Sequence, residues 1–384
     1  MSPDRHLVLL PGLLLLAGAV QPGSTTEAPL IAYQQGGGRG LVMVNNPEYV
    51  QASHLAGAGQ ALYRERLAAG AWRYWSSHFN ATDGAIRQRV WLHNPGSEAA
   101  TVTLETAAHG DRGKEFIAAF NASPATEPET IAAGASLLLH ATPTIKKGFF
   151  GAVIDWTADR PLELIAAVAR PAADIDATAL EPVGYVTSTA RGGKHREARV
   201  YKGSNPNSVA ELELHWTIDD ADTGILPVQV RRFDAESGYG EAQISTKGWL
   251  THICIGHREK ATMSDMFTWA CPSHPRPIDP AKPSDALDMF PNVGNWGVVY
   301  RHHGQIVNTG ERDRQLVLQL RGKGLELAAQ SSPEADWRRL SFSKGSADWL
   351  TLTLPAGSTT AFDARLVLGG PANGAIWHRA VLLD

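Results

Sequence analysis

Cysteine is nearly missing from this chain: its 384 residues include two, Cys254 and Cys271. At most one internal bridge is therefore available. Charge is also sparse, at 19% of residues with a formal net charge of −4. No run of five or more like charges occurs, so there is no basic stripe to hold nucleic acid and no polybasic segment for an anionic membrane surface. Beyond the first twenty residues, no apolar run approaches the roughly 20 residues a membrane-spanning helix needs. Catalytic signatures are missing as well. There is no Gly-x-Ser-x-Gly elbow and no His-Glu-x-x-His helix. The glycine run Gly36-Gly37-Gly38-Arg39-Gly40 lacks the Lys-Ser/Thr ending of a phosphate loop. No cofactor motif is found.

What is present begins with a leader. Arg5 supplies a positive start, weakened by Asp4. Leu7 to Leu16 is apolar apart from Pro11 and Gly12, and Ala17-Gly18-Ala19 offers small residues for a signal peptidase. Residues 1–19 therefore read as a signal peptide. Lipid attachment at this point is not expected, because Ala19 stands where a lipoprotein carries cysteine.

The length suggests two domains, since single cores stop growing at about 250–300 residues. After a flexible lead-in at 20–40, short apolar or alternating runs are punctuated by turn residues. Arg89–His93, then Asn94-Pro95-Gly96-Ser97, then Thr101–Leu104 reads as strand, tight turn, strand. Runs at 41–44, 137–140, 152–156 and 162–170 continue the pattern. A second set follows at 210–218, 228–233, 249–255, 298–307, 314–320, 349–354, 362–368 and 376–383. The expected fold is all-β: two antiparallel sandwiches in tandem, with long loops and little helix. Domain 1 spans 41–170, a linker 171–182 and domain 2 183–384, with a proline-rich loop at 272–291. Residues 52–69 read as a loop or short helix. Asn94-Pro95-Gly96 and Asn308-Thr309-Gly310 stand equally far before Val102 and Leu316, a faint echo that a duplicated sandwich would produce.

Several stretches resemble a family of secreted bacterial β-sandwich proteins of unassigned activity. Some members carry a copper-amine-oxidase-type N-terminal (stalk) domain. The similar pieces are Asn45-Asn46-Pro47-Glu48, Leu62-Tyr63-Arg64, His78-Phe79-Asn80-Ala81-Thr82-Asp83-Gly84, Leu92-His93-Asn94-Pro95-Gly96, Gly294–Tyr300 and Asn308-Thr309. They do not include the stalk domain. The resemblance implies secretion and β architecture and is silent on chemistry.

The sharpest local feature is Cys254-Ile255-Gly256-His257 with Cys271-Pro272-Ser273-His274. Two thiolates and two imidazoles form a tetrahedral zinc set, and His252 could replace one ligand. The same two cysteines can form a disulfide, which export to an oxidising space favours. Its loop closure would stabilise the fold by about 3 kcal/mol. Asp219-Asp220-Ala221-Asp222-Thr223-Gly224 looks like half a calcium loop but lacks the later bidentate glutamate, so an acidic β-turn is the better reading. Trp72, Tyr74 and Trp75 sit together. If exposed they would stack on sugar rings; otherwise they are core. His302 and His303, adjacent in a strand, should face opposite sides. The sequons at Asn80 and Asn121 read as turn residues.

These features fit an exported, non-enzymatic binding or structural module at the cell surface or in the periplasm. Its partner would be an extracellular glycan, an envelope component or a protein. The alternative is an extracellular polymer hydrolase whose Asp/Glu pair assembles only in three dimensions.

Overall fold

The structure, a computed structural model, describes residues 30–32, 34–36, 38–55, 57, 59–110, 117, 120–121, 127–184, 189–190, 195–196, 202–205, 209–226, 230–232, 241–244, 250–253, 297–321, 325–342, 346–368 and 376–383. The described chain is all-β. Its few helical residues include two single turns of 3-10 helix, Ala52–His54 and Ala177–Ala179. Among the described residues no helix is long and apolar enough to cross a membrane.

The first sandwich pairs a six-stranded sheet with a four-stranded one. The larger runs in the order Glu129–Ile131, Ala100–His109, Ala152–Ala158, Gly70–Ser76, Gly40–Val44, Lys202–Asn205. The smaller runs Ser136–Ala141, Arg87–His93, Leu162–Ala169, Gly59–Leu67. Period-two alternation aims the side chains. In Arg87–His93, Val90 and Leu92 enter the core between the sheets, while Trp91 faces outward. Residues 52–69 contain one helical turn and then the edge strand Gly59–Leu67, whose character is fixed by pairing with Leu162–Ala169.

Both faces of the six-stranded sheet are covered. Val42, Val44, Tyr74, Ile154 and Trp156 fill the first core, whereas Leu41, Met43, Trp75 and Val153 join the core of the second sandwich. The second core continues through Leu214, Trp216, Tyr300, Leu316, Trp349 and Leu366. The two sandwiches thus share a sheet as a common wall.

The units are also interlaced. The segment expected as a flexible lead-in supplies two strands to the second sandwich. Leu30–Ala32 pairs with Glu241–Ile244, and Gln34–Gly36 pairs with Val209–Ile218. In exchange, Lys202–Asn205 returns to pair with Gly40–Val44. The 171–182 stretch is packed down: Arg89 donates to the carbonyls of Pro171 and Ala173, and Ala177, Ile175 and Leu180 cover Trp91. Most pairings are antiparallel. Among the described strand pairs three are parallel: Gly40–Val44 with Gly70–Ser76, Tyr49–Val50 with His78–Asn80, and Val209–Ile218 with Val299–Asn308.

The echo between the halves is structural. Asn94 and Asn308 are both buried at 1% exposure. Asn94 Nδ2 donates to the carbonyls of Glu98 and Ile131, while its Oδ1 accepts from the Gly96 amide. Asn308 Nδ2 donates to Arg312 and Leu354, and its Oδ1 accepts from Gly310. The carbonyl across the gap opens an Ala-Gly turn in each half, with φ of 73° at Gly134 and 62° at Gly357. Glycine suits those turns because a β-carbon strains a left-handed backbone. The flanking strands correspond too. Ala100–His109 pairs with Glu129–Ile131 and Ala152–Ala158, as Arg314–Arg321 pairs with Ser346–Leu354 and Ile376–Leu383.

Candidate functional site

Three very short strands form a separate small sheet on the first sandwich: Tyr49–Val50, His78–Asn80 and Gly148–Phe150. In register, Tyr49 lies opposite Phe79, and Phe79 opposite Phe149. Alternation sends Val50, His78 and Phe150 inward, where all three are buried. The three aromatics at the other phase are left half-buried on the outer face. Their rings form a row, 5.2 Å between the Tyr49 and Phe79 centroids and 5.0 Å between Phe79 and Phe149.

Tyr49 and Phe79 border an open depression of about 410 Å³, whose other lining residues are Gln51, Ala52, Ser53, Ala81 and Lys147. That volume is within the range of small-molecule clefts. Its wall is the helical turn Ala52–His54, held by a hydrogen bond of 3.2 Å from the Gln51 amide to His54 Nδ1. Burial pushes the His54 imidazole below its ordinary pKa.

Buried polar groups fix the row from beneath. Asn45 Nδ2 donates to the Ser77 carbonyl at 2.5 Å, and the Phe79 amide donates to the Glu48 carbonyl at 2.6 Å. His78 Nδ1 lies 2.7 Å from the Pro47 carbonyl. Since that oxygen can only accept, Nδ1 carries the proton. Burial pushes the His78 pKa down to about 4, against the opposing pull of the Pro47 hydrogen bond, so the ring is neutral at pH 7. Asn80 Nδ2 donates to the carbonyls of Gly84, Ile145 and Lys146, and its Oδ1 accepts from the Thr82 amide. This is the pattern of Asn94 and Asn308 a third time. Here it anchors the chain leading into Lys147. The sequon asparagine is thus a buried turn clamp.

The residues singled out from sequence lie elsewhere. Trp72, Tyr74 and Trp75 are 8%, 0% and 2% exposed. The expected sugar platform on them is corrected to core packing: their strand sits inside the six-stranded sheet, covered on both faces. Cys254, His257, Cys271 and His274 lie outside the described residues, as does the 272–291 loop; of His252 only the backbone pairing is described. Among the described residues no group of three or more His, Cys, Asp or Glu could hold a metal ion. The acidic turn at 219–222 spends its groups on protein contacts. Asp219 accepts from the Ala221 amide, Asp222 from the Asp219 amide, and Asp220 from the Glu311 amide and the Arg312 guanidinium. His302 is buried against Trp349 and His303 is half-buried, as strand alternation expects.

Several carboxylates with a hydrolase's chemistry in principle are paired with arginine. Glu163 meets Arg64 at 2.7 Å through both oxygens, and Asp363 meets Arg301 at 2.7 Å. Asp155 meets Arg73 at 2.8 Å through both oxygens.

Sequence reasoning missed the aromatic row because its members come from three strands of two or three residues, too short for a periodic signal. A pointer existed in the stretches Asn45–Glu48 and His78–Gly84, since the first leads into the strand Tyr49–Val50 and the second opens with the central strand His78–Asn80.

No family model matches the chain, and no curated protein does. Among solved structures it is similar to the PBSX exported protein XepA, at 12% identity over 94% of this chain and 100% of that one, with a TM-score of 0.18. It is also similar to a multicopper oxidase from Campylobacter jejuni, at 10% identity over 82% of this chain and 53% of that one, with a TM-score of 0.13. Vicilin from Corylus avellana gives 11% identity over 83% and 73%, with a TM-score of 0.12. Superpositions this loose carry no argument about function.

Proposed function

We propose that this chain is an exported, non-enzymatic binding module that holds a glycan of the cell envelope in the cleft beside Tyr49 and Phe79. The observation that carries the reading is the row Tyr49, Phe79, Phe149, aligned by strand register on an outer face, with Tyr49 and Phe79 bordering an open depression. Flat apolar rings that are partly exposed stack on the apolar faces of sugars, and Gln51 and Ser53 at the rim can hydrogen-bond hydroxyls. The leader at residues 1–19 places the protein at the cell surface or in the periplasm. In that oxidising space Cys254 and Cys271 form a disulfide; a zero thiol count with no bound zinc on the exported protein supports this, and stoichiometric zinc counts against it.

A glycan array and a cell-wall pull-down test the binding. The wild-type protein retains a saccharide ligand. Tyr49→Ala and Phe79→Ala each weaken it by about tenfold, in line with stacking energies of roughly 0.5–1.5 kcal/mol beyond area burial. A folded wild-type protein that retained no glycan would dispose of the reading.

A further inference from the structure

We infer that the saccharide held in this cleft is anionic, with its negative group bound by Lys147. This rests on the binding reading above and adds the chemical class of the ligand.

The argument is local charge. The chain as a whole is net negative, at −4, so a positive rim is not a by-product of a basic composition. The lining residues nevertheless comprise one side chain of a charged type, Lys147, with no carboxylate among them. Lys146 stands beside it, and both lysines are exposed. The nearest acid along the chain to Tyr49 is Glu48, a half-buried residue whose Oε2 is buried and which does not line the cleft. Asp83 is exposed in the turn after Ala81 but does not line the cleft.

The position of Lys147 is set rather than left to a free loop. Asn80 grips the carbonyls of Ile145 and Lys146 at 2.9 and 3.0 Å, and the strand Gly148–Phe150 follows at once. The backbone that carries Lys147 is therefore held on both sides, beside a row of rings that would hold the sugar. Carboxylate and phosphate substituents share the chemistry that a lysine reads: a compact anion accepting charge-assisted hydrogen bonds.

The test compares neutral mannan, phosphate-bearing mannan and polygalacturonate against the full-length exported protein by calorimetry, at two salt concentrations. At least one anionic polymer should bind more tightly than neutral mannan, and the preference should shrink with added salt. The two anionic arms tell phosphate from carboxylate. Lys147→Gln should remove about fivefold of the anionic affinity, the upper range for an exposed ion pair, and lower any neutral binding by a smaller factor. Lys146→Gln should cost less. Equal binding of neutral and anionic polymers, or an anionic preference that survives Lys147→Gln, overturns the inference while leaving the glycan reading in place. Failure of all polymers, with the thermal transition intact, removes both.

Discussion

Arg73 and Asp155 face each other across neighbouring strands and join through two parallel hydrogen bonds, each 2.8 Å long, on the side of the shared sheet that meets the second sandwich. Arg73 also reaches the Gly297 carbonyl at 3.5 Å and lies 4.7 Å from the Phe120 ring centroid. Phe120 in turn packs on Trp337. One guanidinium thus ties the common wall to both units.

Breaking this pair should be costly. Burial raises the Asp155 pKa, but the charge and hydrogen bonds of Arg73, with Arg39 adding, outweigh it and hold the carboxyl below its ordinary value. Asp155→Ala strands a buried cation, so a loss of about 3–5 kcal/mol is expected in urea unfolding. The double change Arg73→Met with Asp155→Leu should cost much less, because no charge is left unpaired. Equal losses from the single and double variants would contradict this account.

Acid should weaken the fold before its carboxylates titrate. Burial pushes His78 to about 4 and His302 to about 3. Both folded values lie below the ordinary 6.5, so the unfolded state binds protons first as pH falls. Stability is then full above pH 6.5 and drains toward the folded pKa values. At pH 5 each histidine accounts for about 2 kcal/mol of loss. Denaturant midpoints measured at pH 7 and pH 5 check this, and His302→Phe should flatten the difference. A flat wild-type profile across that interval would be incompatible with neutral buried rings.

The three asparagine clamps should be intolerant even of isosteric change. Asn80, Asn94 and Asn308 each donate from one amide to two or three backbone carbonyls. Asn→Asp keeps the shape but removes the donors and sets a charge against those oxygens. A loss of about 2–4 kcal/mol per site is expected from thermal melts. Asn80→Asp should in addition loosen Lys147 and weaken ligand binding, whereas Asn308→Asp should leave the affinity of the folded fraction unchanged.

The first sandwich should not stand alone. A fragment of residues 41–170 would expose Leu41, Met43, Trp75 and Val153, which the second core covers in the whole chain. It would also lack Lys202–Asn205 and so leave Gly40–Val44 as a bare edge. Size-exclusion chromatography should show the fragment aggregated and residues 20–384 monodisperse. A monomeric, cooperatively melting fragment would refute the shared-wall description.

Much of the fold was legible in the sequence. Strand runs expected at 89–93, 152–156, 162–170, 210–218, 298–307, 314–320 and 376–383 are present within a few residues, because each is long enough to carry a two-residue hydrophobic period. The paired turns at Asn94 and Asn308 were visible because asparagine and glycine mark the bends chemically. Gly59–Leu67 was not, since its mix of leucines and charges fits a helix as well as an edge strand.

By itself the sequence determined the secondary structure class and the turn chemistry, since both depend on neighbours a few residues apart. Which residues met across the molecule was decided only by tertiary packing. Trp72, Tyr74 and Trp75 became core because a sheet covered on both faces leaves no open side, and Tyr49, Phe79 and Phe149 became a surface row because register aligned three strands distant in the chain. Nothing local encodes such an alignment: it follows from long-range hydrogen bonding, and the site exists only where those strands are brought together.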